Sequence, residues 1–195
     1  VPVITLKAGS KGVFDDAFSG SMELLGKVFD REEKAQALVE FVKSEAAEIS
    51  SRTAGIADEE KPSVYVCGLG NWGTTNHLMT AENYVSFQVA NVKNVLSGTG
   101  IQGIGPIVFD TCKAWQNGEV YLEMAYNAYY TNFEIALINT WFIAKTVYPE
   151  QFQDIDLTTK TNEVTKAFLG QELAEQIFAC PSSFGGYQKI DTAAF

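Results

Sequence analysis

The sequence predicts an α/β protein in which an α/β body is attached to one unusually long helix. Helical periodicity of apolar residues persists over residues 30–54, which is long for a helix between adjacent strands. Strand-like and helical segments alternate through the rest of the chain, as they do in sheets covered by helices. Of the 195 residues, 46% are hydrophobic and 19% are charged, so the chain can bury one substantial core.

The predicted elements begin with a strand at Val1-Pro2-Val3-Ile4-Thr5-Leu6. The long helix follows, with Asp30 as its N-cap and Glu33 reaching back in a capping box. Its apolar stripe consists of Ala35, Leu38, Val42, Ala46 and Ile49. At 1.5 Å per residue such a helix spans roughly 35 Å, a length that suits a strut between two bodies.

A second strand, Ser63-Val64-Tyr65-Val66-Cys67, leads into a loop with the G-x-G-x-x-G spacing of dinucleotide-binding proteins, formed by Gly68, Gly70 and Gly73. That fingerprint needs its third glycine in the first turn of a helix. Here a polar stretch follows, and the next helix is predicted to begin near Thr80. Its apolar face consists of Val85, Val89, Val92 and Leu96. The glycines therefore indicate a wide loop, and a nucleotide-dependent enzyme that uses the loop from Gly68 to Gly73 is the alternative function.

The C-terminal half predicts a loop, a strand and three helices. Residues 97–106 are punctuated by glycine, and residues 118–124 alternate as a strand does. Thr131 and Glu134 form a capping-box pattern before a helix that is apolar on almost every side, and Pro149 stops that helix. A helix over residues 160–169 ends at Gly170, and a short helix follows around residues 173–177.

Charge and cysteine content exclude several classes of function. The chain has fourteen basic and twenty-four acidic residues, which gives a net charge of −10. The basic residues are scattered along the sequence, which argues against nucleic acid as a partner. No run approaches the roughly 18 to 20 apolar residues of a membrane span. Three cysteines are present, Cys67, Cys112 and Cys180, and their spacing is not that of a metal-binding motif. Because the sequence also has a single histidine, neither a metal site nor a cofactor is predicted. Cys67 is expected to be a small buried residue, and a disulfide between Cys112 and Cys180 is compatible with an exported protein.

Catalytic patterns find little support in the sequence. It contains no defensible Ser-His-Asp spacing, no H-E-x-x-H and no G-K-[ST] phosphate loop. Glu119 and Glu123 fall on one face of a predicted strand, where solvated acids are common. The protein is therefore predicted not to be an enzyme.

The C-terminal half carries a longer pattern. Residues 141–152 read Trp-Phe-Ile-Ala-Lys-Thr-Val-Tyr-Pro-Glu-Gln-Phe, Asp154-Ile155-Asp156-Leu157 follows, and Ala167-Phe168-Leu169-Gly170 closes the segment. This pattern resembles the C-terminal signature of substrate-binding proteins of ABC importers of the iron-siderophore, haem and cobalamin type, in which two lobes are joined by a rigid backbone helix. Earlier segments match in order: Val-Pro-Val-Ile, Leu25-Gly26-Lys27, the long helix, and Lys61-Pro62-Ser63-Val64.

The resemblance implies a Rossmann-like three-layer lobe with a central, mostly parallel sheet and a long backbone helix. Residues 1–29 would be the end of an N-terminal lobe and its lead-in, residues 30–54 the backbone helix, and residues 61–195 the C-terminal lobe. Between about residues 98 and 110 the chain is too short for the loop and strand that family members have there. The complete N-terminal lobe of the family has no counterpart in this sequence.

By the same resemblance, the loops after two strands face the ligand. The implied ligand-binding residues are Asn71, Trp72, His77, Tyr126, Tyr129 and Tyr130. The implied ligand is a ferric siderophore, haem or cobalamin, and the implied partner is an ABC permease in the membrane. The resemblance also implies an extracytoplasmic location, in the periplasm or as a lipoprotein anchored at the cell surface. A chain with one lobe exposes apolar surface near Val3 and Leu6, so self-association is expected.

Overall fold

Helices make up about half of the described chain, which comprises residues 2–7, 9–69, 80–98, 113–128 and 130–194 of the computed structural model. The α-helices are α1 (Asp16–Val28), α2 (Glu32–Thr53), α3 (Val85–Val89), α4 (Lys113–Gln116), α5 (Phe133–Val147), α6 (Leu157–Leu169) and α7 (Ala174–Ala179). The strands are β1 (Ser63–Val64), β2 (Lys93–Asn94), β3 (Tyr121–Leu122), β4 (Asn127–Ala128), β5 (Tyr130–Thr131) and β6 (Gln188–Lys189). Among the described residues, no helix is both long and apolar enough for a bilayer crossing.

The long helix α2 is confirmed, and it packs against α1, α3, α5 and α6. Its 22 residues span about 33 Å. The predicted capping box is wrong: Asp30 has a positive φ of 51° and Arg31 is the N-cap, with no side-chain hydrogen bond to the helix. The buried face consists of Val39, Val42, Glu45, Ile49 and Thr53, so Val42 and Ile49 are the part of the predicted stripe that is fully buried.

Helix α1 precedes α2 and crosses it closely. Asp15 starts α1 by accepting a hydrogen bond of 2.9 Å from the backbone N–H of Ala17, which lowers the pKa of its carboxyl group. Gly26 lies at the crossing, where a Cβ atom would meet the Ala35 Cβ at 2.8 Å. The sequence pattern did not predict α1, although it includes the Leu25-Gly26-Lys27 segment. Phe18 of α1 reaches the core and contacts Phe133 edge-on, with ring centroids 5.0 Å apart.

Helix α5 forms the centre of the core, as its all-round apolar pattern predicts. Leu137, Ile138 and Trp141 are fully buried, and α2, α3 and α6 pack around them. The helix ends at Val147, two residues before Pro149, and Tyr148 donates a hydrogen bond of 2.7 Å to the Asn91 carbonyl oxygen. The next helix, α6, ends as predicted at Gly170, which has a φ of 76°.

Two polar links hold α2 to the helices beneath it. Glu45 on α2 accepts a hydrogen bond from the Trp141 indole and forms an ion pair with Lys160 of α6. Seven residues, about two turns, further on, the Arg52 guanidinium binds both carboxylate oxygens of Asp154 in the turn before α6, at 2.6 and 2.9 Å. These links fix the C-terminal half of α2 against the body.

The described strands form three short pairs instead of the central, mostly parallel sheet that was expected. Strands β1 and β2 are parallel, with Ser63 opposite Lys93, whereas β3 pairs with β6 and β4 with β5 in antiparallel fashion. The helix predicted to run to Leu96 ends at Val89, because Asn91 adopts a φ of 58° and the chain then enters β2. Val92 and Leu96 are still buried.

The predicted N-terminal strand is also absent from the described residues. Residues 2–7 are exposed and irregular, and Val3 has 86% of its surface accessible. The Ser21 hydroxyl of α1 both accepts from the Lys7 N–H, at 3.0 Å, and donates to the Lys7 carbonyl, at 2.7 Å. No described strand pairs with this segment, and strand pairing depends on a neighbour that local alternation does not supply.

Candidate ligand-binding site

The structure describes one of the six predicted ligand-binding side chains, that of Tyr126. Asn71, Trp72, His77 and Tyr129 lie outside the described residues. The backbone of Tyr130 belongs to β5, and its side chain also lies outside the described part. The site is therefore built here from Tyr126 and the residues that surround it.

Tyr126 is held in the connection between β3 and the buried helix α5. The loop expected after the strand predicted over residues 118–124 contains the β4–β5 hairpin, in which Asn127 is opposite Thr131. The Asn132 N–H closes the hairpin by donating to the Tyr126 carbonyl oxygen at 2.7 Å. The backbone of Tyr126 is thus fixed immediately before the N-terminus of α5, and its half-buried ring packs against the core.

A carboxyl group and a second phenol lie beside Tyr126. The Tyr84 hydroxyl donates a hydrogen bond of 3.1 Å to Glu123 Oε1, joining segments that are 39 residues apart. The Tyr84 ring is buried before α3, with its centroid 6.4 Å from that of Tyr126 and 5.1 Å from that of Phe87. We call Tyr84, Glu123 and Tyr126 the tyrosine–glutamate cluster.

Burial changes the proton affinity of every member of this cluster. Desolvation raises the pKa of Glu123 to about 7, although the hydrogen bond from Tyr84 acts in the opposite direction. Desolvation and the nearby Glu123 also raise the pKa values of Tyr84 and Tyr126. At neutral pH the Glu123 carboxyl is therefore protonated in part of the molecules and can then donate a hydrogen bond.

A second layer of hydrogen bonds supports the backbone that carries Glu123. The Asn139 side chain of α5 is fully buried and donates to the Met124 carbonyl oxygen at 2.6 Å. Its oxygen accepts from the Tyr187 hydroxyl at 2.7 Å, and the Tyr187 ring stacks on Phe142 with a centroid distance of 4.5 Å. Because both ends of the Asn139 amide are engaged, the Glu123–Tyr126 segment is held in one position.

Glu119 and Glu123 have different environments. Both were expected to be solvated acids, and for Glu123 that expectation is wrong. Glu119 is exposed, accepts from the Tyr121 hydroxyl at 2.6 Å and pairs with Lys189 at 2.9 Å. These contacts lower the pKa of Glu119, whereas desolvation raises that of Glu123. Strand alternation placed both carboxylates on one face, but only tertiary packing distinguishes them.

The described part of the chain contains no cluster of cysteine, histidine and acidic side chains that could bind a metal ion. No group of three histidine, cysteine, aspartate or glutamate residues lies there in a metal-binding arrangement. Cys67 is exposed, which corrects the expectation of a buried residue, and Cys180 is exposed as well. Cys112 lies outside the described residues, so the disulfide stays a prediction.

Two surface grooves are found away from this cluster, between α1 and α2. The larger, of about 370 Å³, is lined mostly by charged side chains, among them Glu23, Lys27 and Glu40. The smaller, of about 210 Å³, is lined mostly by apolar residues, such as Met22, Phe29 and Leu38, together with Arg31 and Lys34. Neither groove contains a residue of the tyrosine–glutamate cluster, and a shallow charged surface offers less enclosure than ligand pockets have.

Four residues were not singled out from the sequence as ligand-site residues, two in the tyrosine–glutamate cluster and two in the hydrogen bonds that support its backbone: Tyr84, Glu123, Asn139 and Tyr187. The sequence feature that could have indicated such residues is a polar residue inside an otherwise apolar segment. Asn139 interrupts the most apolar helix of the chain, and a buried amide in such a helix needs partners. The partners of Asn139 come from positions 15 and 48 residues away, a distance that no local pattern spans.

No family model and no curated protein matches this chain. Two solved structures resemble it in fold. The first is an ABC transporter solute-binding protein from Sulfurospirillum deleyianum, with a TM-score of 0.57 and 20% identity over 82% of this chain and 59% of that one. The second is the molybdate periplasmic binding protein of a Haemophilus influenzae ABC transporter in its molybdate-bound form, with a TM-score of 0.57 and 16% identity over 80% of this chain and 57% of that one.

The chain spans less than three fifths of the length of either structure. At these identities the likeness concerns the fold. The described helices and strands therefore share the fold of solute-binding proteins of ABC transporters.

Proposed function

We propose that this chain is the solute-binding component of an ABC-type importer, consisting of the backbone helix and the C-terminal lobe. The observation that carries this proposal is the fold likeness to two such proteins over about four fifths of the chain. The sequence pattern of residues 141–170 independently resembles the same class. The protein would capture a solute outside the cytoplasm and deliver it to a membrane permease, with no bond made or broken.

The arrangement of α2 supports this role. Glu45 fixes α2 to α5 and α6, and Arg52 fixes it to Asp154 in the turn between those helices. The N-terminal half of α2 packs against α1. A helix held in this way moves as one body with the lobe that binds it. The part of the two similar structures that this chain does not cover would correspond to the second lobe.

The proposed ligand is an iron chelate or a related compound of the haem or cobalamin type. Aromatic side chains such as those proposed at Trp72, Tyr126, Tyr129 and Tyr130 offer flat apolar contact with a polar edge. Asn71 and His77 would add polar contacts. A second candidate ligand is a small oxyanion, which is favoured by the likeness to a protein that was solved with molybdate bound.

Isothermal titration of this chain tests the proposal. The probes are a ferric hydroxamate siderophore, haem, cobalamin, molybdate and NAD. We expect saturable binding of one transport-type ligand. The affinity should be weak, since one lobe buries less of a ligand than a closed pocket does. Binding of NAD alone would contradict the proposal and support the nucleotide-dependent enzyme.

A matched pair of variants connects the binding to the site. Tyr126→Ala should weaken binding about tenfold or more, because it removes a proposed aromatic contact. Tyr121→Ala is the control, since Tyr121 is an exposed tyrosine of β3 that contacts Glu119 and Lys189. Equal loss of affinity in both variants would contradict the proposed location of the site.

A further inference from the structure

The two carboxyl oxygens of Glu123 differ in their hydrogen bonds. Its Oε1 accepts the hydrogen bond from the Tyr84 hydroxyl at 3.1 Å, and the described residues provide no hydrogen bond to its Oε2. The residue as a whole is partly exposed. Glu123 also lies three residues before Tyr126, on backbone that Asn139 holds in place.

The groups that face Glu123 in the described structure are phenols. Tyr84 lies before α3, Tyr126 lies before β4, and Tyr187 lies before β6. None of these carries a positive charge, and no salt bridge to Glu123 is found among the described residues. Among the described groups, only the hydrogen bond from Tyr84 offsets the desolvation of an ionised carboxylate here, so these groups favour the neutral form of Glu123.

We propose that Glu123 is the contact that selects an anionic, oxygen-bearing solute, to which Oε2 of the neutral carboxyl group donates a hydrogen bond. This inference rests on the proposed function and narrows its ligand class. Tyr84 is the positioning residue: by donating to Oε1 it orients the carboxyl group so that the proton resides on Oε2. When Glu123 ionises, it loses the donor and its charge repels the same solute.

Binding and proton uptake are then coupled. A molecule with ionised Glu123 must take one proton from solvent before the solute binds, so up to one proton is consumed per solute bound. With the Glu123 pKa at about 7, the neutral fraction falls about 30-fold between pH 6.0 and pH 8.5, and the affinity should fall by the same factor.

The test is isothermal titration of this chain with two separate anionic probes, sodium molybdate and a ferric tris-catecholate complex, at pH 6.0, 7.0 and 8.5. For the unmodified chain we expect the roughly 30-fold loss of affinity for the bound probe, and proton uptake at pH 8.5 measured in buffers of different ionisation enthalpy. Glu123→Gln should bind with nearly constant affinity at all three pH values, because its amide donates without a titrating proton. Glu119→Gln, a matched change on the exposed side of the same segment, should keep the pH dependence of the unmodified chain.

Each other outcome has a defined meaning. Binding whose affinity and proton uptake do not change with pH, or a pH dependence that survives in Glu123→Gln, would overturn this inference and leave the proposed function intact. Absence of binding of both probes at every pH would overturn this inference, whereas the proposed function would fail only if haem and cobalamin also did not bind. Circular dichroism melts verify that Glu123→Gln is folded, and the proton uptake of the unmodified chain tests the inference without any variant.

Discussion

The Trp141 indole donates a hydrogen bond of 2.8 Å to Glu45, and this bond joins the middle of α2 to the centre of the core. The same carboxylate lies 3.3 Å from the Lys160 ammonium group, which also pairs with Glu163 and lies 4.5 Å from the centroid of the Trp141 ring system. Burial raises the pKa of Glu45, while the Lys160 charge and the Trp141 bond act against that rise. Burial also opposes the charge of Lys160, but its two carboxylate partners outweigh burial and raise its pKa.

Replacing one partner of the Glu45–Lys160 ion pair should destabilise the fold more than replacing both partners. Lys160→Met leaves the buried Glu45 without a cation, and we expect a loss of about 3 kcal/mol in the free energy of unfolding. In Glu45→Gln the amide oxygen can still accept from Trp141, so the double variant should be more stable than Lys160→Met alone. Urea unfolding of both single variants and the double variant measures the coupling. Glu48→Gln, on the more exposed side of α2, is the control and should cost less than about 1 kcal/mol. Additive effects would show that Glu45 and Lys160 do not interact.

Two glycines of α1 should respond to alanine in opposite directions. A Cβ at Gly26 would lie 2.8 Å from the Ala35 Cβ and 3.1 Å from the Glu32 Cα, so Gly26→Ala should push α1 from α2 and cost about 1–3 kcal/mol. Gly20 is exposed and a Cβ there meets nothing within 4 Å, so Gly20→Ala should stabilise the helix by up to about 1 kcal/mol. Thermal melts compare the two variants. Equal effects would show that the α1–α2 crossing is looser than described.

The raised pKa of Glu123 makes stability depend on pH. The folded protein holds a proton on Glu123 up to about pH 7, whereas the ordinary pKa is 4.5. The free energy of unfolding should therefore fall as pH rises from about 4.5 to about 7 and then level off. Glu123→Gln should remove the Glu123 contribution to this slope and be more stable than the unmodified chain at pH 8, by up to about 3 kcal/mol.

Glu119→Gln provides the comparison for this profile. The pKa of Glu119 is lowered by Tyr121 and Lys189, so its stabilising effect is present at neutral pH and is lost in acid. Urea unfolding from pH 4 to pH 8 distinguishes the two carboxylates. A Glu123→Gln variant that keeps the slope between pH 4.5 and pH 7 would show that Glu123 is not its source.

Exposed apolar residues of α1 should promote self-association. Leu24, Val28 and Phe29 are exposed beside the apolar groove between α1 and α2, and 67% of the Phe29 surface is accessible. We expect light scattering to show an average mass that rises with concentration, and Phe29→Ser to reduce this rise. Leu169→Ser removes an exposed leucine at the end of α6 and should leave the association unchanged. A monomer at all concentrations would contradict this prediction.

Predictions from the sequence were accurate for helices whose apolar periodicity and end signals lie within the helix itself. The long helix α2, the buried helix α5 stopped by Pro149, and the end of α6 at Gly170 could each be predicted from local periodicity and breakers. Strands were predicted less well. The apolar alternation of the N-terminal segment finds no neighbour in the described structure, and the predicted helix over residues 80–96 gives way to β2, because Lys93 and Asn94 pair with β1. Pairing depends on distant segments, and local propensity does not report it.

The sequence by itself determined the helical framework, the net acidic charge and the resemblance to solute-binding proteins, because these follow from composition, periodicity and ordered motifs. Only the tertiary structure decided which polar residues meet. Glu119 and Glu123 are equivalent in the strand pattern, yet one reaches Lys189 and the solvent while the other lies against Tyr84, Tyr126 and the core. The physical reason is desolvation, which depends on the packing of segments remote in sequence and which sets the proton affinity of a carboxyl group.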